Sequence, residues 1–227
     1  MKVVTERSQY LENKAKENII FAVLFGAIGT LLILYSFFFI YYASIPYGIA
    51  LYFIGRYLSF KSGISGEESV IDQLKGLPDS FYLLNDVKVG FGNIDHIVIG
   101  DNGIFVIETK NFEGEITCNG DIWTQYKYSW KRDDAIEIKS PSKQVKRNAV
   151  KLKEFLLGNA QFKTKEKIRK IFIDGIVLIT NPRCNVSINT PTVNVMGLNE
   201  LKQFILNKKS NILLTKNEIE EIVKLLA

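Results

Sequence analysis

The sequence predicts an α/β domain on a central mixed sheet, preceded by an N-terminal transmembrane helical hairpin. Three observations predict it. Residues 19–55 contain no charge, residues 81–128 hold five short apolar segments separated by turn residues, and beyond residue 140 helical periods flank one continuous apolar strand. Strands and helices in this mixed order are characteristic of an α/β fold. The 227 residues suffice for one good-sized domain with an appendage.

The run from Ile19 to Gly55 exceeds the roughly 20 residues of one straight span. "ASIPYG", residues 43–48, supplies a turn, because Pro46 lacks an amide donor and restrains the residue before it. Two arms are expected, at 19–42 and 46–59, with Arg56 snorkelling to the headgroups; the second arm crosses the bilayer or lies in its interface. A cleaved leader has an apolar core of only about 7–15 residues, so an anchor is expected instead. Lys14, Lys16, Arg56 and Lys61 flank the hairpin and favour the cytoplasmic side of the cell membrane.

"KSGISGEES", residues 61–69, reads as a linker and a fresh start. A helix then follows over Ile64–Leu77, with Ile64, Ile71 and Leu74 on one stripe. Strands are expected at 81–89, 94–99, 104–110, 114–118 and 122–128. "SPSKQVKRNAVKLKEFLLG" is a helix with Ser140 as N-cap, Pro141 in the first turn and Gly158 past its end. "KIFIDGIVLIT" is a strand at 171–180 apolar on both faces, and amphipathic helices at 198–207 and 215–226 finish the chain. The expected organisation is a cytoplasmic segment at 1–18, an anchor at 19–59, an α/β domain at 63–180 and a helical extension at 181–227 packed on it.

The net charge of +5 suits an anionic partner, nucleic acid or a lipid surface. The first 60 residues carry five basic and three acidic groups, leaving 24 against 21 elsewhere, so nucleic-acid contact must come from local clustering. Cys118 and Cys184 have no metal-ligand spacing, and His96 is the only histidine. Histidine-dependent triads and HExxH zinc sites are thereby disfavoured. Chemistry has to run on carboxylates, lysine and a divalent ion.

"NIDHIVIGDNGIFVIETKN", residues 93–111, sets Asp95, Glu108 and Lys110 into a hairpin otherwise suited to a core. Glu108 and Lys110 share a face with Ile104 and Val106. A loop of Asp101-Asn102 puts Asp95 opposite Glu108, and a loop of Asn102-Gly103 puts it opposite Lys110. A three-residue loop with a glycine bulge sends it to the other face; the sequence leaves all three open. Two carboxylates about 5 Å apart repel by roughly 3 kcal/mol at an effective dielectric near 20. A hard cation with oxygen ligands, Mg²⁺ or Mn²⁺, relieves that repulsion. Glu67 interrupts the apolar stripe of its helix, so a helix packed by that stripe would aim it at the acidic face. Lys143, Arg147 and Lys151 recur every four residues as a basic stripe able to hold a nucleic-acid backbone, while Val145, Ala149, Leu152 and Leu156 form the packing face. "CNGDIWTQYKYSW", residues 118–130, interleaves aromatics with polar groups and reads as base-stacking or as a half-buried hairpin.

"GEESV" (66–70), "IDHIVIGDNGIFVIETKN" (94–111), Trp123 and "SPSKQVKRN" (140–148) resemble the NERD, or nuclease-related, domain of the PD-(D/E)XK restriction-endonuclease-like superfamily. The resemblance covers about residues 63–155. It implies a restriction-endonuclease-like central sheet flanked by helices, with Asp95, Glu108 and Lys110 as the catalytic core and Glu67 and Gln144 as accessory site residues. The family usually carries Asn-Pro before its glutamine and often histidine after it, where this chain has Ser140-Pro141 and Asn148. The expected function is a membrane-anchored, metal-dependent nuclease, with Asp95, Glu108 and Glu67 as metal ligands, Lys110 orienting water, and DNA as the expected substrate. The alternative is a membrane-anchored nucleic-acid-binding or scaffold protein that does not cut.

Overall fold

The computed structural model describes residues 1–5, 9–35, 40–90, 92–129 and 132–227, without the side chains of 40, 127–129 and 132–134. It divides into two compact units, Ser8–Ser65 and Met1–Arg7 with Gly66–Ala227.

The first unit holds helix α1 (Tyr10–Tyr35) and the start of α2 (Ile40–Leu74). Phe21 and Phe53 stack with ring centroids 5.0 Å apart, and Thr30 meets the Tyr47 hydroxyl at 3.0 Å. Many apolar side chains of α1 remain exposed, Ile20, Val23, Leu31 and Leu34 among them. Among the described residues, α1 alone is long and apolar enough to cross a membrane. The expected turn at 43–48 is absent, since those residues are helical and Pro46 lies inside α2. Residues 36–39, between the helices, lie outside the described residues. The expected linker at 61–69 is also helical, and α2 ends at Leu74. Its glycines interrupt helix propensity but add no helix-breaking proline.

The second unit is built on a six-stranded sheet in the order β1-β2-β3-β4-β8-β10. Its strands are β1 (Lys2–Val3), β2 (Tyr82–Val89), β3 (Gly92–Gly100), β4 (Gly103–Lys110), β8 (Ile173–Ile179) and β10 (Asn194–Gly197). The β2-β3-β4 meander is antiparallel, while β1, β8 and β10 join in parallel. A second sheet runs β7 (Arg132–Ile138), β6 (Ile122–Ser129), β5 (Gly114–Asn119) and β9 (Cys184–Asn189). This is a mixed α/β architecture, as predicted.

Two cores cover the faces of the larger sheet. One joins Ile97, Ile99, Ile104 and Val106 to helix α3 (Pro141–Asn159) through Val145, Leu152 and Leu156, and takes in Ile116, Cys118 and Trp123 from the second sheet. The other joins Val98, Phe105, Ile107 and Ile176 to Val70 and Leu74 of α2 and to helix α5 (Leu198–Asn207). Helices α4 (Phe162–Lys170) and α6 (Lys216–Leu226) complete the unit. The segment beyond residue 180 is thus more than the expected helical extension, because it supplies β9 to one sheet and β10 to the other.

Ser140 caps α3 by accepting from the Lys143 amide at 3.2 Å, and Pro141 opens the helix, as the sequence predicts. The helix runs past Gly158 to Asn159, where the Ala160 amide donates to the Leu156 carbonyl at 2.9 Å. Gly175 lets α3 seat closely on β8, since a Cβ there would lie 3.3 Å from Val145 Cγ1.

Candidate active site

The register of the β3-β4 hairpin determines whether the charged groups meet. Gly100 pairs with Gly103, Ile99 with Ile104 and His96 with Ile107, around a two-residue turn of Asp101-Asn102. Of the three registers open to the sequence, this one carries Asp95 to the level of Glu108. There the ladder gives way, and Asp95 Oδ2 accepts the Thr109 amide proton at 2.9 Å. Two distant contacts hold the turn: Asn102 Nδ2 donates to the Ile205 carbonyl at 2.7 Å, and the Leu214 amide donates to the Asp101 carbonyl at 2.9 Å.

Glu108 shares its face with Ile104 and Val106 and is 1 % exposed. Its Oε1 accepts from Lys110 Nζ at 2.5 Å, whereas Oε2 is buried without a hydrogen-bond partner among the described residues. Burial first, and then the neighbouring Asp95 carboxylate, push the Glu108 carboxyl up to about 7, against the opposing pull of Lys110 and Arg147. Burial likewise raises Asp95, opposed by the Thr109 amide and Lys110 and assisted by Asp86. Two acids and one ammonium therefore meet where at least one acid resists ionisation.

Asp86 was not singled out by its sequence. It sits in β2 at φ 53°, a left-handed conformation that a non-glycine residue adopts at a cost of order 1–3 kcal/mol. Asn85 pairs with His96 and Val87 with Ile94, so Asp86 and Asp95 occupy the level between. Side-chain alternation slips there, because Leu84 and Val87 both enter the same core. Asn93 Nδ2 donates to Asp86 Oδ1 at 2.9 Å. The signal available in the sequence was an Asn-Asp pair inside an otherwise apolar strand.

Glu67 lies beside the buried line of its helix. The buried line of α2 runs through Gly66, Val70 and Leu74, one position off the stripe read from Ile64, Ile71 and Leu74. Glu67 is half-buried beside that line, and the line packs on the sheet face opposite Glu108. Gly66 abuts the ends of β4 and β8, since a Cβ there would lie 2.8 Å from Thr180 Oγ1 and 3.4 Å from Asn111 Cβ. Among the described residues, no three His, Cys, Asp or Glu side chains are grouped to hold an ion. Asp95 and Glu108 are brought together, with Asp86 close enough to act on Asp95.

Helix α3 brings the other expected residues. Gln144 is half-buried on its second turn. Arg147 is exposed yet close enough to lower the Glu108 carboxyl, and Lys151 Nζ lies 3.6 Å from where a Gly92 Cβ would stand. Asn148, one turn past Gln144, is buried and donates to the Asn93 carbonyl at 3.4 Å. Lys143 is exposed and helps depress Asp121, whose main partner is Lys146 at 2.6 Å. Trp123 is fully buried, with Nε1 donating to Ser142 Oγ at 2.8 Å, so it is a core residue rather than a stacking surface. The side chains of Tyr128 and Trp130, from the same aromatic stretch, lie outside the described residues.

Comparison with known proteins identifies a family. The family model described as "Nuclease-related domain" matches residues 62–180, the stretch carrying every acid just described. An uncharacterized protein of Bacillus anthracis is 48% identical over 60 residues, covering 24% of this chain and 28% of the relative. The chain therefore spans little more than a quarter of that relative's length. No solved structure matches the chain.

Proposed function

The chain belongs to the NERD, or nuclease-related domain, family, and on that premise we propose that it is a membrane-anchored, metal-dependent nuclease hydrolysing phosphodiester bonds of nucleic acid, DNA first. One observation carries the proposal. A buried glutamate carries an oxygen with no hydrogen-bond partner, and its neighbouring aspartate pushes its carboxyl upward. Hard carboxylate oxygens without a full complement of protons suit Mg²⁺ or Mn²⁺, and Asp95 and Glu108 are the residues that would hold it. Such an ion, when bound, supplies Lewis-acid activation of water and of phosphate oxygens.

The chain's own residues supply the rest. Lys110 donates to Glu108 from a side chain still 24% exposed, so its ammonium faces both the carboxylate and the space a phosphate would enter. There it orients water and offsets charge developing on the reacting phosphate. The Thr109 amide fixes one oxygen of Asp95 and leaves the other for a ligand. Arg147 and Lys151 hold the nucleic-acid backbone beside the acids, and Gln144 reaches the phosphate from the same end of α3. A hairpin of α1 and the apolar start of α2 is the anchor. The 26 residues of α1 extend about 39 Å, enough to cross a bilayer core, and the chain has to return because β1 before α1 pairs with β2 after α2. The basic flanks at Lys14, Lys16, Arg56 and Lys61 favour the cytoplasmic side for the nuclease domain.

The test is cleavage of supercoiled and linear DNA by the full chain in detergent, with and without Mg²⁺. Asp95→Ala and Glu108→Ala each abolish Mg²⁺-dependent cleavage; activity surviving both substitutions overturns the assignment. The second reading, a nucleic-acid-binding scaffold that does not cut, is favoured by the gathering of two carboxylates with Lys110 already paired to one. It requires salt-sensitive binding indifferent to Mg²⁺ and to Asp95→Asn, whereas the nuclease requires saturable metal binding that Asp95→Asn weakens.

A further inference from the structure

A cavity of about 680 Å³ opens where β8 begins, lined by α3, by the start of β8 and by the segment entering β10. It is not the acidic site. Glu108 pairs with Val177 of β8, whereas the cavity lies at the level of Asp174, three residues earlier and so about 10 Å along the strand. Its size falls in the range of small-molecule pockets.

The lining is apolar with a basic rim. Phe172 and Val150 stand on it 76% and 57% exposed, an unusual outlay of apolar surface beside a cavity. Three ammoniums contribute. Lys208 is paired with the buried Asp174 at 2.7 Å, and Lys146 with Asp121 at 2.6 Å. Lys153 is held by the Ile171 and Arg169 carbonyls at 2.8 and 3.2 Å, and among the described residues it has no carboxylate partner. The rim therefore keeps one unbalanced positive charge, fixed in place by backbone. Asn194 sits where β10 begins to pair with β8 and donates to the Gly175 carbonyl at 3.3 Å, leaving its side-chain oxygen for another donor.

We propose that this cavity binds a nucleotide, with the base against Phe172 and Val150 and the phosphate on Lys153. An aromatic face fits a planar base, a fixed unbalanced ammonium fits a phosphate, and the Asn194 amide reads a polar base edge. The nucleotide comes either free or as one unit of a strand. The proposal is independent of the acidic site and stands whether or not the chain cleaves.

The test is calorimetric titration of the full chain in detergent with AMP, adenosine, inorganic phosphate and a ten-residue oligoadenylate. AMP is expected to bind saturably and at least tenfold more tightly than adenosine or phosphate alone. Oligoadenylate tighter than AMP by tenfold or more identifies the strand as source, and equal or weaker binding identifies the free nucleotide. Phe172→Ala is expected to weaken AMP about tenfold, the scale of one base-aromatic stack. Val150→Glu, which sets a carboxylate on the rim, is expected to abolish binding. Both positions are exposed enough that the thermal midpoint should stay unchanged, and Asp95→Ala should leave AMP affinity unaltered. No saturable AMP binding, AMP affinity indifferent to both rim substitutions, or decanoate binding in place of AMP would overturn the proposal.

Discussion

Glu108→Gln separates the cost of the acidic pair from its use. The Glu108 carboxyl stands at about 7 against an ordinary 4.5, so the folded state holds its proton more tightly than the unfolded chain does. The sign follows directly. Between about pH 4.5 and 7 the native state binds more protons, so this group's contribution to stability is greatest at low pH and is lost as pH rises through 7. The full loss is about 3 kcal/mol, already net of the attraction of Lys110 and Arg147. A glutamine of the same shape carries no charge to desolvate. The variant should therefore match the native chain near pH 4.5 and exceed it by up to about 3 kcal/mol at pH 8, roughly 1.5 M in urea midpoint for a slope near 2 kcal/mol/M. Urea titrations of both chains in detergent, followed by tryptophan emission at half-unit pH steps, read the difference. Mg²⁺ at saturating concentration should close the gap, because a cation bound to the folded state stabilises only the chain that keeps its carboxylate. Equal midpoints at pH 8, or a gap that widens toward pH 5, would refute the reasoning.

Arg147→Ala removes a charge that holds Glu108 down. The acidic limb of the cleavage profile should move to higher pH, and the slope of log affinity for duplex DNA against log salt should shrink by about 0.9, both read by titration. Ser142→Ala leaves Trp123 Nε1 buried without its acceptor and should cost about 1–3 kcal/mol in denaturant midpoint, with a shift in tryptophan emission. Asn102→Gly keeps a turn-forming residue but loses the bond to Ile205. It should cost about 1 kcal/mol and raise amide exchange along β3 and β4, measured by mass spectrometry.

Where the physics was local, the sequence was legible. The apolar alternation of β2 to β6, the capped start of α3 and the period of α5 each announce themselves within a few residues. The parts missed are those whose stability comes from elsewhere. Strand β9 is mostly exposed and exists as a strand because β5 pairs along it. Helix α4, "FKTKEKIRK", buries only Thr164 and Ile168, too sparse a pattern for a period to show. Pro46 reads as a turn until its neighbours are seen in one helix. The hairpin register, on which the site depends, was open because three loop lengths satisfy the same turn residues. A carbonyl 103 residues downstream accepts from Asn102 and favours one of them.

That anchoring ties the acid pair to the architecture. A one-residue slip of β4 against β3 would exchange the faces of its side chains, sending Ile107 out of its core and Glu108 into it. The apolar residues on both faces of β4 therefore specify the register along with Asn102, and the acids stay together because the greasy part of the hairpin has no other way to be buried. A core that fixes the position of a carboxyl raised to about 7 is giving up stability at neutral pH, the trade expected where strain is kept for a site. Had Glu108 and Lys110 formed only a surface ion pair, neither burial nor an unpartnered oxygen would be needed. Both are present, on a strand whose register the turn contacts and the two cores hold in place.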